Sequence, residues 1–225
     1  MGDCRYVVPL ELKMDRNSEL CKDYGQQLKT TYYGDKEPSL ETLNEYLLVS
    51  FRSLKKFKKF QCIKYCSDTF QMVSHEYFWF PIYRTILSRM EYAADAPTYV
   101  YRFDFDSKHF NHLRILSCGK KVRGTCHGDD LSYLFYNSVA RKLKRHTKEY
   151  KCIERLVSLW THFATHGHPN YDPEHSDLWQ PVSTAALEKH QLKCLNITDE
   201  LKVIDVPDMK KLLVWESFFT RNELL

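Results

Sequence analysis

The sequence predicts an α/β fold that is rich in helices and poor in strands. Apolar side chains recur at the three- and four-residue spacing of amphipathic helices over much of the chain. One segment, 98–105, instead alternates aromatic residues with Thr, Val and Arg, which is typical of a strand. Two shorter runs, 191–195 and 201–206, are also predicted strands. Because sheets usually contain ~4–6 strands, either this sheet is incomplete or the helices carry the fold alone.

Capping residues mark the ends of the predicted helices. Ser18 can cap the first helix and Gly34 can end it, and Thr147 and Gly167 do the same for a later one. Pro81 interrupts a longer helical tract. The later helix carries one apolar stripe of Ile153, Leu156, Val157, Trp160, Phe163 and Ala164. The predicted helices cover residues 18–31, a segment from 38, 69–90, a short stretch to 135, 147–167 and 208–219.

Residues 49–65 form an atypical basic insertion. The segment contains six cations, and four apolar residues in it recur every three positions, a spacing that does not keep side chains on one face of a helix. They are Phe51, Leu54, Phe57 and Phe60. We therefore expect a solvated surface segment. Residues 52–60 could instead dock on an anionic membrane or a nucleic-acid backbone, but we expect neither contact.

The overall charge predicts no particular partner. The 33 Lys and Arg residues exceed the 29 Asp and Glu residues by four, an excess too small to indicate nucleic-acid binding. The first residues lack the pattern of a signal peptide, and no run of about 18 apolar residues could span a membrane. We therefore expect a cytoplasmic protein whose eight cysteines are thiols.

His127 is the most informative candidate for chemistry. It lies on a short loop just before Asp129 and Asp130, either of which can cap a helix through Phe135. Its neighbour Cys126 fits the outline of a nucleophile elbow, with small residues on both sides. A catalytic cysteine would need a second His and an acid from elsewhere, so a buried thiol is the simpler interpretation.

A histidine cluster near the end of the 147–167 helix raises the alternative of a metal site. Its members are His162, His166, His168 and His175. Two of them are four residues apart, as in zinc-binding helices, but the Glu that serves as base in such motifs is missing. Solvent-exposed imidazoles at a helix end are the better interpretation, and we expect no metal and no cofactor.

Several longer motifs resemble the C-terminal third of type-B carboxylesterases, with most likeness to the insect alpha-esterases. The resemblance covers nearly the whole chain apart from about 49–65. It rests on Phe78-Trp-Phe-Pro-Ile-Tyr-Arg-Thr85, Ala96-Pro-Thr-Tyr-Val-Tyr-Arg-Phe-Asp104, Phe110-Asn-His-Leu-Arg114, Gly124-Thr-Cys-His-Gly-Asp-Asp-Leu-Ser-Tyr-Leu-Phe135, Trp160-Thr-His-Phe-Ala-Thr-His-Gly-His-Pro-Asn170, Trp179-Gln-Pro181 and Leu201-Lys-Val-Ile-Asp205.

This resemblance implies the C-terminal portion of an α/β-hydrolase fold with an incomplete central sheet, forming one incomplete domain over residues 1–225. It also implies that His127 is the catalytic base of a Ser–His–acid triad that hydrolyses carboxylic esters through an acyl-enzyme. The sequence departs from the family pattern because it contains no Gly-x-Ser-x-Gly motif, no recognisable acid and no glycine-rich oxyanion loop.

The resulting expectation is a chain of carboxylesterase lineage that carries the triad His and is inactive by itself. If the N-terminal part of such an enzyme completed it, the substrate would be a small carboxylic ester. The alternative is a non-catalytic interaction protein that uses the esterase-like surface or the basic segment. A third reading, an autonomous hydrolase using Cys126, requires a reactive thiol.

Overall fold

A computed structural model describes residues 15, 17–35, 67–136, 142–172 and 177–219 of this chain. The expected extended start at 6–10, the helix from 38, the basic insertion at 49–65 and His175 lie outside the described residues. The chain divides into two compact units. Unit 1 combines Met1–Tyr92 with Asp208–Leu225, and unit 2 is Ala93–Pro207.

The described elements confirm a helix-rich α/β composition with a small sheet. In chain order the helices are α1 (Glu19–Tyr33), α2 (Ser67–Ser74), α3 (Phe80–Tyr92), α4 (His112–Cys118), α5 (Leu131–Leu134), α6 (Lys148–His166), α7 (Thr184–Glu188) and α8 (Met209–Ser217). A π-helical turn, His75–Trp79, joins α2 to α3. The strands are β1 (Tyr101–Phe103), β2 (Lys193–Ile197) and β3 (Leu201–Asp205). Among the described residues, no helix is long and apolar enough to cross a membrane.

Unit 1 is built from helices whose ends follow the predicted caps. The Ser18 hydroxyl accepts a hydrogen bond from the Cys21 N–H at 3.2 Å, and α1 ends at Gly34, which has a φ of +60°. Leu28 of α1, Met72 of α2 and Trp215 of α8 are completely buried. Together with α3, whose Phe80, Tyr83 and Ile86 are also buried, the apolar faces of these helices supply the core of this unit.

The predicted helical tract 69–90 is continuous, but it contains the π-turn just before Pro81. In this turn the Phe80 N–H donates to the carbonyl of His75, five residues earlier. Proline has no N–H with which to bond the carbonyl of Tyr77 four residues earlier. The interruption predicted from Pro81 is therefore a widening of the helix rather than an end.

Unit 2 contains a three-stranded sheet with β2 at its centre. β1 pairs in parallel with β2, placing Tyr101 opposite Leu195, and β2 pairs antiparallel with β3. The predicted strand 98–105 is correct in place but pairs regularly only over Tyr101–Phe103. Further bonds extend it at both ends, because the Leu195 N–H donates to the Val100 carbonyl and the Asp104 N–H to the Ile197 carbonyl, each at 2.9 Å.

Helix α6 covers the core of unit 2. The Thr147 hydroxyl accepts from the Tyr150 N–H at 3.4 Å, and Gly167 closes the helix in the left-handed conformation, so both predicted caps are confirmed. The predicted stripe is only partly correct. The buried face consists of Cys152, Leu156 and Leu159, the positions that repeat on one side of a helix and pack with Leu195 and Ile197 of β2.

This packing predicts a large difference between two adjacent residues of α6. Leu156 is 0% exposed, whereas Val157 is 38% exposed. Leu156→Ala is expected to lower the free energy of unfolding by about 2–5 kcal/mol, because it removes buried methyl groups and leaves a cavity. Val157→Ala, the matched control, should change it by about 1 kcal/mol or less. Urea denaturation measures both values, and equal losses would contradict this core.

Candidate functional site: the His127 loop

His127 lies on the loop between α4 and α5, and its side chain is exposed. The next residue, Gly128, has a φ of +80°, in the region that favours glycine. A Cβ atom there would lie 2.6 Å from Leu113 Cδ1 and 3.7 Å from Leu131 Cδ1. The positive φ therefore favours glycine beside His127, and a larger residue would also require the Leu113 side chain to move.

Asp129 is fully buried and ties this loop to α4. Its Oδ2 accepts a hydrogen bond from the N–H of Cys126 at 2.9 Å, and its Oδ1 accepts one from the N–H of Arg114 at 3.0 Å. The Arg114 N–H belongs to the first turn of α4, where Asn111 makes no side-chain cap bond. Asp129 therefore caps α4 although it is distant from that helix in the sequence, and it also fixes the position of Cys126, the residue before His127.

The expectation that Asp129 or Asp130 caps the following helix is correct only in position, because Asp130 is the N-cap residue of α5. Helix α5 is only four residues long and has no side-chain cap bond. The Asp130 carboxylate instead accepts the hydroxyl proton of Tyr101 at 2.8 Å. Both carboxylates therefore accept hydrogen bonds from donors outside α5, which pairs these buried or half-buried polar groups.

Arg114 fixes the start of the loop through its buried side chain. Its guanidinium is almost completely buried and donates hydrogen bonds to the carbonyl oxygens of Val122 and, at 2.7 Å, of Ser107. The Asp106 carboxylate lies 4.0 Å from this guanidinium and also accepts a hydrogen bond from Arg123 at 2.8 Å. The two groups are close enough for their opposite charges to attract, but Asp106 Oδ1 and Arg114 Nε are both buried without a hydrogen-bond partner.

Asn111 holds the middle of the loop. Its amide Nδ2 donates to the Phe105 carbonyl at 3.0 Å and to the Gly124 carbonyl at 3.4 Å. Its Oδ1 accepts from the Tyr133 hydroxyl at 2.8 Å. We call Asn111, Arg114 and Asp129 the polar scaffold; together they bond the backbone at Val122, Gly124 and Cys126, every second residue before His127.

The scaffold was not singled out as a set by sequence reasoning. The sequence contained one sign of these residues. Asn111 and Arg114 are polar, but they lie in a segment, Phe110–Leu116, whose other residues are mostly apolar. Polar residues in such a setting are buried only when the fold provides partners for them. Those partners come from three separate segments, so only the tertiary structure brings them together.

Cys126 is half-buried next to Asp129. Burial raises the pKa of its thiol to about 12, and the neighbouring Asp129 carboxylate adds to the effect because it disfavours a second negative charge. The thiol contacts the backbone carbonyl of His127 at 3.7 Å. A neutral thiol in this setting is a poor nucleophile, which argues against the reading of the loop as a cysteine hydrolase.

The histidines at the end of α6 lie together at the surface. The ring centres of His162 and His166 are 4.1 Å apart and stacked, and Nδ1 of His162 lies 2.8 Å from the carbonyl oxygen of His168. In the part of the chain that the structure describes, no group of three or more His, Cys, Asp or Glu residues is placed to hold a metal.

Comparison with known proteins assigns the class of protein to which this fold and loop belong. The sequence model of the carboxylesterase family matches residues 8–215. This chain therefore belongs to the carboxylesterase family, whose fold is that of the α/β hydrolases. Among its relatives is Esterase B1 of Culex pipiens, which is 32% identical over 220 residues. The match covers 96% of this chain and 35% of that esterase, so the chain spans about a third of its relative's length.

The first prediction from this site concerns Asp129. Asp129→Ala removes the acceptor of the buried Arg114 N–H and of the half-buried Cys126 N–H, and a buried N–H costs about 1–3 kcal/mol when left unpaired. We expect trypsin to cleave more rapidly at Lys121 and Arg123 in the loop, as measured by mass spectrometry of the fragments. Asp130→Ala, which removes an acceptor only from the Tyr101 hydroxyl, is the matched control. Equal cleavage rates in the two variants would refute the role of Asp129.

The second prediction concerns the thiol of Cys126. Because its pKa is raised to about 12, iodoacetamide should label Cys126 at pH 8 at least ~10-fold more slowly in the folded chain than in urea. Peptide mass spectrometry separates Cys126 from the other cysteines. Rapid labelling of the folded chain at pH 7 would instead restore Cys126 as a candidate nucleophile.

Proposed function

We propose that this chain supplies the general-base histidine, His127, of a serine carboxylesterase reaction. The observation that carries the proposal is the exposed imidazole of His127 on a loop whose backbone is fixed by three buried polar side chains. A general base must be accessible to substrate and yet held in place, because misplacement by about 1 Å is costly to catalysis. The chain belongs to the carboxylesterase family, and this is the reason for proposing that the exposed histidine acts in ester hydrolysis.

In this reaction His127 takes the proton of a serine hydroxyl while the serine attacks the ester carbonyl. It then gives that proton to the leaving alcohol, and it takes a proton from water when the acyl-enzyme is hydrolysed. A carboxylate would hold the ring in the correct tautomer. The proposed substrates are small carboxylic esters, and the reaction requires neither a metal nor a cofactor.

The 225 residues contain no Gly-x-Ser-x-Gly motif and no glycine-rich oxyanion loop. We therefore propose that the chain does not hydrolyse esters by itself. The serine, the acid and the oxyanion donors belong to sequence that this chain does not contain.

An apolar surface beside His127 supports the same proposal. Leu113 and Leu131 flank Gly128, and one helical turn further on Leu116 is 77% exposed and Phe135 is 67% exposed. Exposed apolar surface of this kind is typical of sites that bind a protein, a membrane or a ligand, and we propose a protein contact here. In an esterase this surface would lie against the part that carries the nucleophile.

The same surface favours the alternative function, a non-catalytic interaction protein. If the chain acts in this way, Leu116 and Phe135 contact a partner and His127 has no chemical role. The two functions differ in one measurable property, which is whether ester hydrolysis depends on His127.

The decisive experiment joins this chain to the remainder of the Culex Esterase B1, in place of the segment that it matches. We expect the chimera to hydrolyse a short-chain aryl ester and the chain alone to show no turnover. His127→Ala in the chimera should lower kcat at least ~10³-fold, because the serine loses its base. His146→Ala, which alters another exposed loop histidine, is the matched control and should leave kcat nearly unchanged.

An active chimera that keeps its rate after His127→Ala would refute the assignment of His127. Turnover by the chain alone that disappears in His127→Ala would refute the proposal that the chain lacks a nucleophile. A circular-dichroism melt of each protein establishes that the samples compared are folded.

A further inference from the structure

A second histidine, His75, lies in unit 1 and belongs to a buried hydrogen-bonded chain that the esterase chemistry does not use. Three segments contribute to it. His75 lies on the π-turn, Tyr32 on α1 and Trp215 on α8, and all three side chains are buried. The Tyr32 hydroxyl lies 2.7 Å from His75 Nδ1, and the Trp215 Nε1–H donates to the Tyr32 oxygen at 2.8 Å.

One tautomer of neutral His75 gives each of these groups a hydrogen-bond partner. The indole of Trp215 can only donate, so the Tyr32 oxygen accepts from it. The hydroxyl proton of Tyr32 is then free to point at His75 Nδ1, which must be unprotonated to accept it. In that tautomer His75 carries its proton on Nε2, which faces Asp208 Oδ2 at 3.5 Å. One line of donors runs from Trp215 through Tyr32 and His75 to Asp208.

Charged groups on the surrounding elements act on His75 in opposite directions. Asp208, at the start of α8, favours a charged imidazolium, whereas Lys211 of the same helix disfavours it. The Lys211 ammonium lies 5.1 Å from the centre of the Tyr32 ring and donates to the Gln71 side-chain oxygen of α2. On the π-turn itself, Glu76 is close enough to act on Tyr32.

Burial is the largest influence on His75, and it lowers the pKa of the imidazole below its ordinary value. Lys211 lowers this pKa further, and Asp208 opposes both effects. The folded unit therefore resists protonation of His75, while an opened unit accepts the proton at the ordinary pKa of about 6.5.

We propose that His75 is a proton-operated switch that joins α1 to α8 when neutral and releases them when charged. The imidazole takes up one proton from solvent at Nδ1. That nitrogen then donates to the Tyr32 oxygen, which can accept it beside the Trp215 bond. The hydroxyl proton of Tyr32 loses its acceptor and is left in a buried position, where an unpaired polar group is unfavourable.

The sign of the pH dependence follows from linkage. Because the folded pKa of His75 is lowered, the unfolded form binds more protons between that value and about pH 6.5. The stability that His75 confers is complete above about pH 6.5 and is lost as the pH falls through this interval. Acidification should therefore loosen α1, the π-turn and α8.

Hydrogen exchange with mass spectrometry on the full chain tests this proposal between pH 7.5 and pH 5, after correction for the intrinsic pH dependence of exchange. Peptides from α1 and α8 are expected to lose protection as the pH falls. Lys211→Met should move the midpoint of this loss upward by about half a pH unit, because it removes a repelling cation. Asp208→Asn should move it downward by a similar amount, and Asn tolerates the φ of +56° at this position.

Two further variants identify the titrating group. His75→Gln can keep a hydrogen bond to Tyr32 but cannot titrate, so α1 and α8 should lose their pH response. His112, which is also buried and has a lowered pKa, lies in unit 2 and bonds the Ser132 hydroxyl at 3.0 Å. His112→Gln should leave the response of α1 and α8 unchanged.

The Lys211 and Asp208 variants decide the question even if His75→Gln fails to fold. Opposite shifts of the midpoint support the switch. The switch would be overturned if neither variant shifts the midpoint or if both shift it in the same direction. It would also be overturned if His112→Gln abolishes the pH response of α1 and α8.

Discussion

The polar scaffold of Asn111, Arg114 and Asp129 is the constraint on which the candidate site depends. Each of these side chains is buried, and burying an amide, a guanidinium and a carboxylate is favourable only if the fold supplies their partners. Most of the partners are backbone groups of the His127 loop, of α4 and of the segment from Phe105 to Ser107, and Tyr133 adds its hydroxyl. Because most of these partners are backbone atoms, the scaffold side chains keep their hydrogen bonds only while the loop keeps its shape.

This arrangement separates the chemical group from the groups that hold it. The scaffold contacts main-chain atoms before His127, and Gly128 allows the chain to pass close to Leu113 directly after it. The imidazole therefore remains exposed on a backbone that is held at alternate residues. Loops that carry functional side chains on a rigid support are a general solution to this problem.

Three histidines of this chain show how environment determines the use of one side chain. His127 is exposed and is our candidate base. His112 is buried against a serine hydroxyl, and its pKa is lowered by burial. His75 is buried in a line of donors that ends at a carboxylate, and neighbouring charges of both signs act on it. The same imidazole is therefore a candidate catalyst, a core group and a candidate proton sensor in one chain.

The sequence by itself determined the ends of α1 and α6 and the family. Ser18, Thr147 and Gly167 define caps through local hydrogen bonds and backbone angles, so they could be predicted from neighbouring residues alone. Only the tertiary structure decided how Asp129, Arg114 and Asn111 act, because their partners lie on other segments. It also decided the pairing of Tyr101 with Leu195, which are far apart in the chain. Local propensity contains no information about contacts of that range, because they depend on which surfaces must be buried together.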